Sequence, residues 1–542
     1  MVPLLILLLS LYHSSTCSFT KNILVTTPWR GGHFAYLLNI AATLADSGHN
    51  VTFLALLHDP DIPVPRNIRY LVPTNISQDI RGLKYLNEVA VKSGALDGSS
   101  DKLISRSITG NSVILGETLK QIKLRFDYFF GVEMMGMMEN TQFDLVVVEE
   151  TIFHPIAVIA RKHSIPLVTA ISVVDQQRAK HEQNLPALLT SEASQFLNIQ
   201  GSIPPTFLQR IQLFVELGSF VFNLVPGIMN IMAGYLAEEG LIGLTDLDNM
   251  TQLYLVNDHP ALSFPYLRAP NSLNIAGIGL KNPSEPLGSD VSKFVESAKK
   301  RGKHIIYVNL GTLAFSLDHY QSMFGEEFFE TLQKSDDAVI IVRSDVEYSN
   351  HANVLSKSWL PQRALLASST VSLFVSSCGN NAKIESVLHK VPLLCIPLFT
   401  DQYFNSLLVK RNHFGEMLLK EDFSHEALEQ MVTQMLENQK KYIESLHAGS
   451  SAVLLNPATP GDNLVFHCNH LMEFGNLNFL RNEVIGRQTT VEIYNIDILA
   501  AIFVAFLAAL IFVWTIGKKV VNFGWTYFKK TQGTGIVREK RE

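Results

Sequence analysis

The chain reads as α/β throughout: two Rossmann-like, doubly wound domains facing a cleft, each built on a parallel sheet, followed by a C-terminal transmembrane helix. Three observations predict this. Apolar strand patterns alternate with helical ones in two separate runs, a stretch rich in proline and glycine divides those runs, and a charge-free apolar segment lies near the C-terminus. Length agrees, because 542 residues exceed what one hydrophobic core ordinarily holds.

In the first run, residues 22–27 read as a strand and 33–47 as a helix with an apolar face at Leu37, Ile40, Ala41 and Leu44. Strands follow at 51–57, 143–148 and 165–171, with a helix at 155–163. The second run places strands at 304–310, 338–342, 371–375 and 392–397. Between the runs, Pro265, Pro270, Pro283 and Pro286, with Gly277, Gly279 and Gly288, mark a linker. The domains are therefore expected at 18–265 and 291–495, with the linker at 266–290 and returning helices at the end of the second. Ligands of such sheets bind at the carboxyl ends of the strands. Residues 203–237 are strongly apolar but broken by Pro226-Gly227. They fit a surface touching the bilayer, the wall of a lipophilic pocket, or a buried helical pair.

Both ends carry membrane signals. Leu4 to Leu11 is apolar and leads into Ser14-Ser15-Thr16-Cys17, so residues 1–17 read as a signal peptide, too short to span a bilayer. The segment 496–516 is long enough to cross a hydrocarbon core of ~30 Å. Lys518, Lys519, Lys529 and Lys530 follow it, which by the positive-inside rule puts the tail 517–542 in the cytosol. The expectation is a single-pass type I membrane protein of the endoplasmic reticulum with a lumenal body, Arg538 and Lys540 holding the positions of a dibasic retrieval signal.

Net charge is −6, which excludes nucleic acid as a natural partner. Past the leader stand Cys378, Cys395 and Cys468. Three thiols in an oxidising lumen cannot all pair within one chain, their spacing matches no metal motif, and no metal site is expected. Asn50, Asn75 and Asn249 begin glycosylation sequons, Asn50 being the weakest because it leads into a predicted buried strand.

The densest signal is residues 359–402. It opens Trp359-Leu360-Pro361-Gln362, passes an apolar strand into Ser376-Ser377-Cys378-Gly379-Asn380-Asn381, continues through Glu385 and closes on Asp401-Gln402. A strand, a small polar turn and a helix in that order suit an anion, because the first backbone N–H groups and the positive end of the helix point at it and Gly379 permits close approach. In the first run, Pro28-Trp29-Arg30-Gly31-Gly32-His33 forms another strand-to-helix turn at the cleft.

Order and spacing resemble the donor signature of the UDP-glycosyltransferase family in its membrane-anchored, UDP-glucuronosyltransferase-like animal form: W-x-P-Q, H-G-G-x-N-S, E, then D-Q. The likeness covers nearly the whole chain and implies the GT-B architecture. It also implies that Trp359 and Gln362 meet the uracil, Glu385 the ribose, and Asp401 and Gln402 the sugar hydroxyls. Ser377, Gly379 and Asn381 would line the diphosphate, with Gly311-Thr312 as a second contact. The family's general base falls on His33, where imidazole suits proton removal from an alcohol near neutral pH. Its supporting carboxylate falls on Glu149, one methylene longer than the family's usual Asp, with Glu150 as a competitor.

One departure matters: the family's H-G-G is here Ser377-Cys378-Gly379, so a phosphate-donating His and a Gly are missing. The implied activity is inverting, metal-independent transfer of glucuronate or glucose from a UDP-sugar, a co-substrate rather than a resident cofactor, to a hydroxyl of a small lipophilic acceptor. Arg30 or Lys383 could meet a glucuronate carboxylate. The alternative is a catalytically weakened, transferase-like protein that binds or regulates active relatives, and homo- or hetero-oligomers fit either reading.

Overall fold

The computed structural model describes residues 20–60, 62–73, 132–149, 155–172, 206–208, 250–264, 268–280, 286–311, 326–333, 338–344, 353–398, 401–480, 490–493 and 495–533. The leader, Asn75, Asn249, most of 203–237, Glu150, Thr312 and the end of the tail lie outside these residues.

In the first half, β1 (Asn22–Thr27), β2 (Asn50–Ala55), β3 (Ile68–Leu71), β4 (Leu145–Glu149), β5 (Leu167–Ile171), β6 (Thr251–Val256) and β7 (Ser272–Asn274) form one sheet. Its order is β3-β2-β1-β4-β5-β6-β7, with every neighbouring pair parallel. In the second half, β8 (His304–Asn309), β9 (Ala338–Arg343), β10 (Val354–Lys357), β11 (Val371–Ser376), β12 (Leu393–Cys395) and β13 (Gly415–Met417) pair in the order β10-β9-β8-β11-β12-β13, again all parallel. Strands such as Leu145–Glu149 and Ala338–Arg343 are buried along their whole length, as expected for parallel sheets covered on both faces.

Helices lie between the strands. In the first half these are α1 (Gly32–Asp46), α2 (Val132–Asn140) and α3 (Ile156–Lys162). The second half has α4 (Ser289–Lys300), α5 (Glu326–Gln333), α6 (Gln362–Ala367), α7 (Asn380–His389), α8 (Asp401–Arg411), α9 (His425–Glu437) and α10 (Gln439–Leu454). Strand order reverses between β1 and β4 in one sheet and between β8 and β11 in the other. These are the switch points where such sheets open a crevice. His33 lies beyond β1 and Ser377 beyond β11, so each turn singled out in the sequence stands at a switch point.

The boundaries differ from the sequence reading in three places. Ser272–Asn274, inside the expected linker 266–290, is strand β7 of the first sheet; three half-buried residues carry no readable periodicity. Leu262 and Phe264, assigned to the first domain, pack in the second core. Helix α11 (Pro460–Phe474) returns to the first core through Leu464, Cys468 and Leu471, a stripe at helical spacing. Its start is set by Pro460 and a capping box in which Thr459 and Asp462 satisfy each other's backbone N–H. Its end is set by left-handed Gly475.

Residues 482–542 form a separate unit that carries α12 (Ile496–Gly533). The span expected at 496–516 is the first part of this 38-residue helix. No proline interrupts residues 517–533, and at 1.5 Å per residue the whole reaches roughly 57 Å, longer than a bilayer core.

Gly415 in β13 offers a test of this packing. A Cβ built there would stand 1.8 Å from the Leu393 carbonyl oxygen in β12, a backbone atom that cannot turn aside. Gly415→Ala should therefore destabilise the second half by about 3 kcal/mol, the upper part of the range for overpacking. Denaturant unfolding of the purified protein measures it, and an unchanged midpoint would contradict so close an approach of the two strands.

Candidate active site

The N-terminal part of the site grows from the turn that joins β1 to α1. Gly31 holds φ of 63°, a left-handed conformation that suits glycine, and its N–H donates to Asp59 Oδ2 at 2.8 Å. The turn swings His33 toward the end of β4. There His33 Nδ1 lies 2.5 Å from Glu149 Oε1, with the carboxylate wholly buried and the imidazole 32% exposed.

Two hydroxyls complete the cradle. Thr27 Oγ1 donates to Glu149 Oε2 at 2.5 Å, and Ser172 Oγ donates to Glu149 Oε1 while lying 2.6 Å from His33 Nδ1. Burial alone would push the Glu149 carboxyl up, but the His33 charge and the hydrogen bonds from His33, Ser172 and Thr27 outweigh it and hold the pKa below the usual carboxylate value. An ionised Glu149 accepts the proton on Nδ1, so the ring's basic lone pair is on Nε2. Sequence reading paired His33 with Glu149 but missed Thr27 and Ser172. The signal was weak: each is a small hydroxyl residue at or just beyond the carboxyl end of a predicted strand.

The C-terminal part is built on β8, β11 and their following turns. Gln362, the first residue of α6, donates through Nε2 to Glu385 Oε2 at 2.6 Å. Its Oε1 accepts from Asn309 Nδ2 at 2.7 Å and from Tyr307 OH at 3.0 Å. Asn309 Oδ1 in turn accepts from Gly311 N at 3.0 Å. Gln362, Glu385 and Gly311 are thus drawn into one network whose hub, Asn309, the sequence did not flag. Burial pushes the Glu385 carboxyl up, against the hydrogen bond from Gln362 and the Arg363 charge. Trp359 is 38% exposed, just ahead of α6.

At the turn after β11, Ser377 is buried and its Oγ lies 3.8 Å from where a Cβ on Gly311 would stand, so the β8 and β11 turns face each other. Gly379 precedes α7 as its N-cap. Asn381 Nδ2 donates to Gly32 O at 2.9 Å, and its Oδ1 accepts from Asn257 Nδ2 at 2.7 Å. The residue expected at the diphosphate therefore also joins the helix that carries His33.

Asp401 and Gln402 are buried at the start of α8. Gln402 Oε1 accepts from Leu398 N at 2.9 Å, and Asp401 Oδ2 accepts from Asn405 Nδ2 at 2.9 Å. Lys383, considered for a glucuronate carboxylate, is 1% exposed and donates to Asn405 Oδ1 at 3.0 Å. Burial pushes its ammonium pKa down, against the Asp258 and Asp401 charges. It is a buried cation in the field of Asp258 and Asp401 rather than a surface cation.

The cysteines correct the sequence reading, which gave them no chemistry. Cys378 and Cys395 form a disulfide with Cα atoms 5.1 Å apart, and Cys468 is a buried thiol in the first core whose pKa burial raises to about 12. The odd count concealed a pair that topology makes natural: Ser376 is the register partner of Cys395 across the β11–β12 ladder, and Cys378 is two residues on. Cys378 has φ of 67°, so it takes the left-handed conformation where the resembling motif has Gly.

The profile of the family described as UDP-glucoronosyl and UDP-glucosyl transferase matches residues 23–534. UDP-glucuronosyltransferase 3A2 of Homo sapiens is 25% identical over 530 residues, 94% of each chain. UDP-glucosyltransferase 2 of Dactylopius coccus is 23% identical over 494 residues, 90% of each. Among solved structures, spinosyn forosaminyltransferase SpnP matches with a TM-score of 0.53 at 17% identity, over 84% of this chain and 100% of that one. Phytolacca americana UGT2, complexed with UDP-2fluoro-glucose and pterostilbene, gives 0.53 at 14% over the same shares. At these identities the structural likeness bears on fold, which is GT-B.

The disulfide allows a two-step test. Cys395→Ser opens a cross-link that closes 17 residues and should cost about 3 kcal/mol. Adding Cys378→Gly should return about 1 to 2 kcal/mol, because glycine accepts the left-handed φ without a Cβ penalty. Denaturant midpoints of the two variants check both steps, and a double variant no more stable than the single one would refute the second.

Proposed function

Since the chain belongs to the UDP-glucoronosyl and UDP-glucosyl transferase family, we propose that it moves a glucuronyl or glucosyl group from a UDP-sugar to a hydroxyl of a small lipophilic acceptor, with inversion. The observation that carries this reading is the contact of His33 Nδ1 with buried Glu149 at 2.5 Å. Glu149 fixes the tautomer, Nε2 takes the acceptor proton, and the imidazolium that forms is steadied by a carboxylate already held ionised. The acceptor oxygen attacks the anomeric carbon as the bond to UDP breaks. Backbone N–H groups at the start of α7 take up charge on the leaving diphosphate, with the glycine turn at Gly311 leaving room beside it. Asp401 and Gln402 read the sugar hydroxyls, and Trp359 offers a ring face for the uracil. No resident cofactor or metal enters this scheme; the UDP-sugar is the co-substrate.

A second reading, a weakened transferase that serves as partner to active relatives, is favoured by Ser377 at the family's His position and by the amide of Asn381 being engaged with Gly32 and Asn257. UDP release separates the two. With UDP-glucose and UDP-glucuronate against a panel of lipophilic alcohols and phenols, the transferase reading expects turnover with at least one pair, and the partner reading expects none.

In an active pair, His33→Ala should lower kcat by about 10² to 10⁴-fold with little change in UDP affinity, because a general base acts on the transition state. A kcat within threefold of wild type would remove His33 from the role.

The proposed setting is the endoplasmic reticulum, with the body in the lumen and α12 as anchor. Protease added to intact microsomes should then remove an epitope fused to the C-terminus; its survival would reverse the orientation.

A further inference from the structure

Asn257, directly after β6, is buried at 3% exposure and belongs to none of the motifs above. Its Nδ2 lies 2.7 Å from Asn381 Oδ1 and 3.3 Å from the carbonyl oxygen of Ser172. Asn380, the first residue of α7, donates through Nδ2 to that same Ser172 carbonyl at 3.0 Å and to the Asn257 carbonyl at 2.7 Å. Asn381, next along α7, donates to Gly32 O. The approach is close: a Cβ at Gly32 would stand 3.1 Å from Asn381 Nδ2.

These bonds join the anion-binding turn of the second half to the two segments that build the base in the first. Ser172 supplies the hydroxyl shared by Glu149 and His33, and Gly32 immediately precedes His33. A second observation concerns what Asn380 gives up. Its Oδ1 is buried and has no hydrogen-bond partner among the described residues, which costs stability. An amide held at that expense is held for its two donors.

We propose that Asn257, Asn380 and Asn381 form a latch between the two switch points. Through it, α7 positions Ser172 and Gly32, and through them the His33–Glu149 pair. Their side chains position the groups that act in transfer and do not themselves touch the reacting atoms, so the kinetic part of the inference rests on the transferase reading. Closing the latch brings the donor turn to the base at the moment the base is aligned. A small misplacement at such a site can lower turnover by about 10²-fold.

The test uses the full-length protein in detergent or nanodiscs. Asn257→Asp keeps the shape and loses both donors; Asn257→Ala is the second variant should the buried carboxylate impair folding. Either should lower kcat by about 10- to 100-fold while the Kd for UDP, titrated alone, stays within threefold. In a Ser172→Ala background the same change at residue 257 should cost less than it does in wild type, because one of the two branches of the latch acts through the Ser172 hydroxyl. Losses that multiply independently, or a UDP affinity that falls with kcat, would overturn the latch. Hydrogen exchange is read beside the kinetics, and residues 28–36 and 168–172 should exchange faster in the Asn257 variants than in wild type. If wild type turns over nothing yet exchange rises as expected, the transferase reading fails and the latch stands. If exchange is unchanged, the latch fails.

Discussion

A carboxylate with no solvent contact dictates the arrangement at the switch point of the first sheet. Glu149 ends β4 inside the protein, where an unpaired charge would cost several kcal/mol. Its two oxygens are satisfied by Thr27 from the neighbouring strand β1, Ser172 from the end of β5 and His33 from the first turn of α1. Three segments that neighbour Glu149 only because the sheet order is β1-β4-β5 are thereby tied to one point. Removing the carboxylate would leave three donors turned inward; removing the donors would leave a buried charge. Neither half of the arrangement is stable alone, and that fixes where the imidazole stands.

The second sheet repeats the geometry with neutral groups. At its switch point the hub is Asn309, whose amide binds Gly311 N, Tyr307 OH and Gln362 Oε1, and Gln362 passes the chain on to Glu385. Burial raises the Glu385 pKa, whereas at Glu149 the His33 charge and the hydrogen bonds outweigh burial and lower it. The contrast follows from the partners each carboxylate has. Glu149 faces the His33 charge and accepts from two hydroxyls and an imidazole, whereas Glu385 has the Gln362 amide hydrogen and the Arg363 charge to set against its loss of water.

What could be read in the sequence was whatever depends on local pattern. β1, β4, β8 and β11 are buried on both faces and announce themselves as apolar runs, and the turns after them carry Gly, His and Asn in recognisable order. β3, β7, β10 and β13 are three or four residues long at or near sheet edges and left no such trace. The supports of the site were hidden for a different reason. Asn257 reaches Asn381 across 124 residues and Thr27 reaches Glu149 across 122, so nothing near either residue in the chain marks its role. The pairing of His33 with Glu149 was legible through the family resemblance, and the sheet order that sets β1 beside β4 is what brings the two together.

The cystine at the turn after β11 shows how one backbone requirement can be met by different chemistry. The turn after β11 needs a left-handed residue so that the chain can leave the strand and start α7 with its N–H groups directed outward; glycine does this at little conformational cost to the fold. Cys378 instead carries a Cβ into φ of 67°, at about 1 to 2 kcal/mol, and is bonded to Cys395 at the end of the adjacent strand. A cross-link over so few residues offsets that penalty by narrowing the unfolded ensemble. The exchange has a chemical consequence. A glycine turn can adapt to the ligand, whereas a turn stapled to β12 keeps one shape, and the Asn380 and Asn381 amides that follow it are then aimed by the sheet itself. On the transferase reading proposed above, Ser377 in place of the family's histidine gives the turn less charge to offer a diphosphate, and the staple leaves it a more rigid set of backbone donors, so preorganisation would count for more than any single side chain.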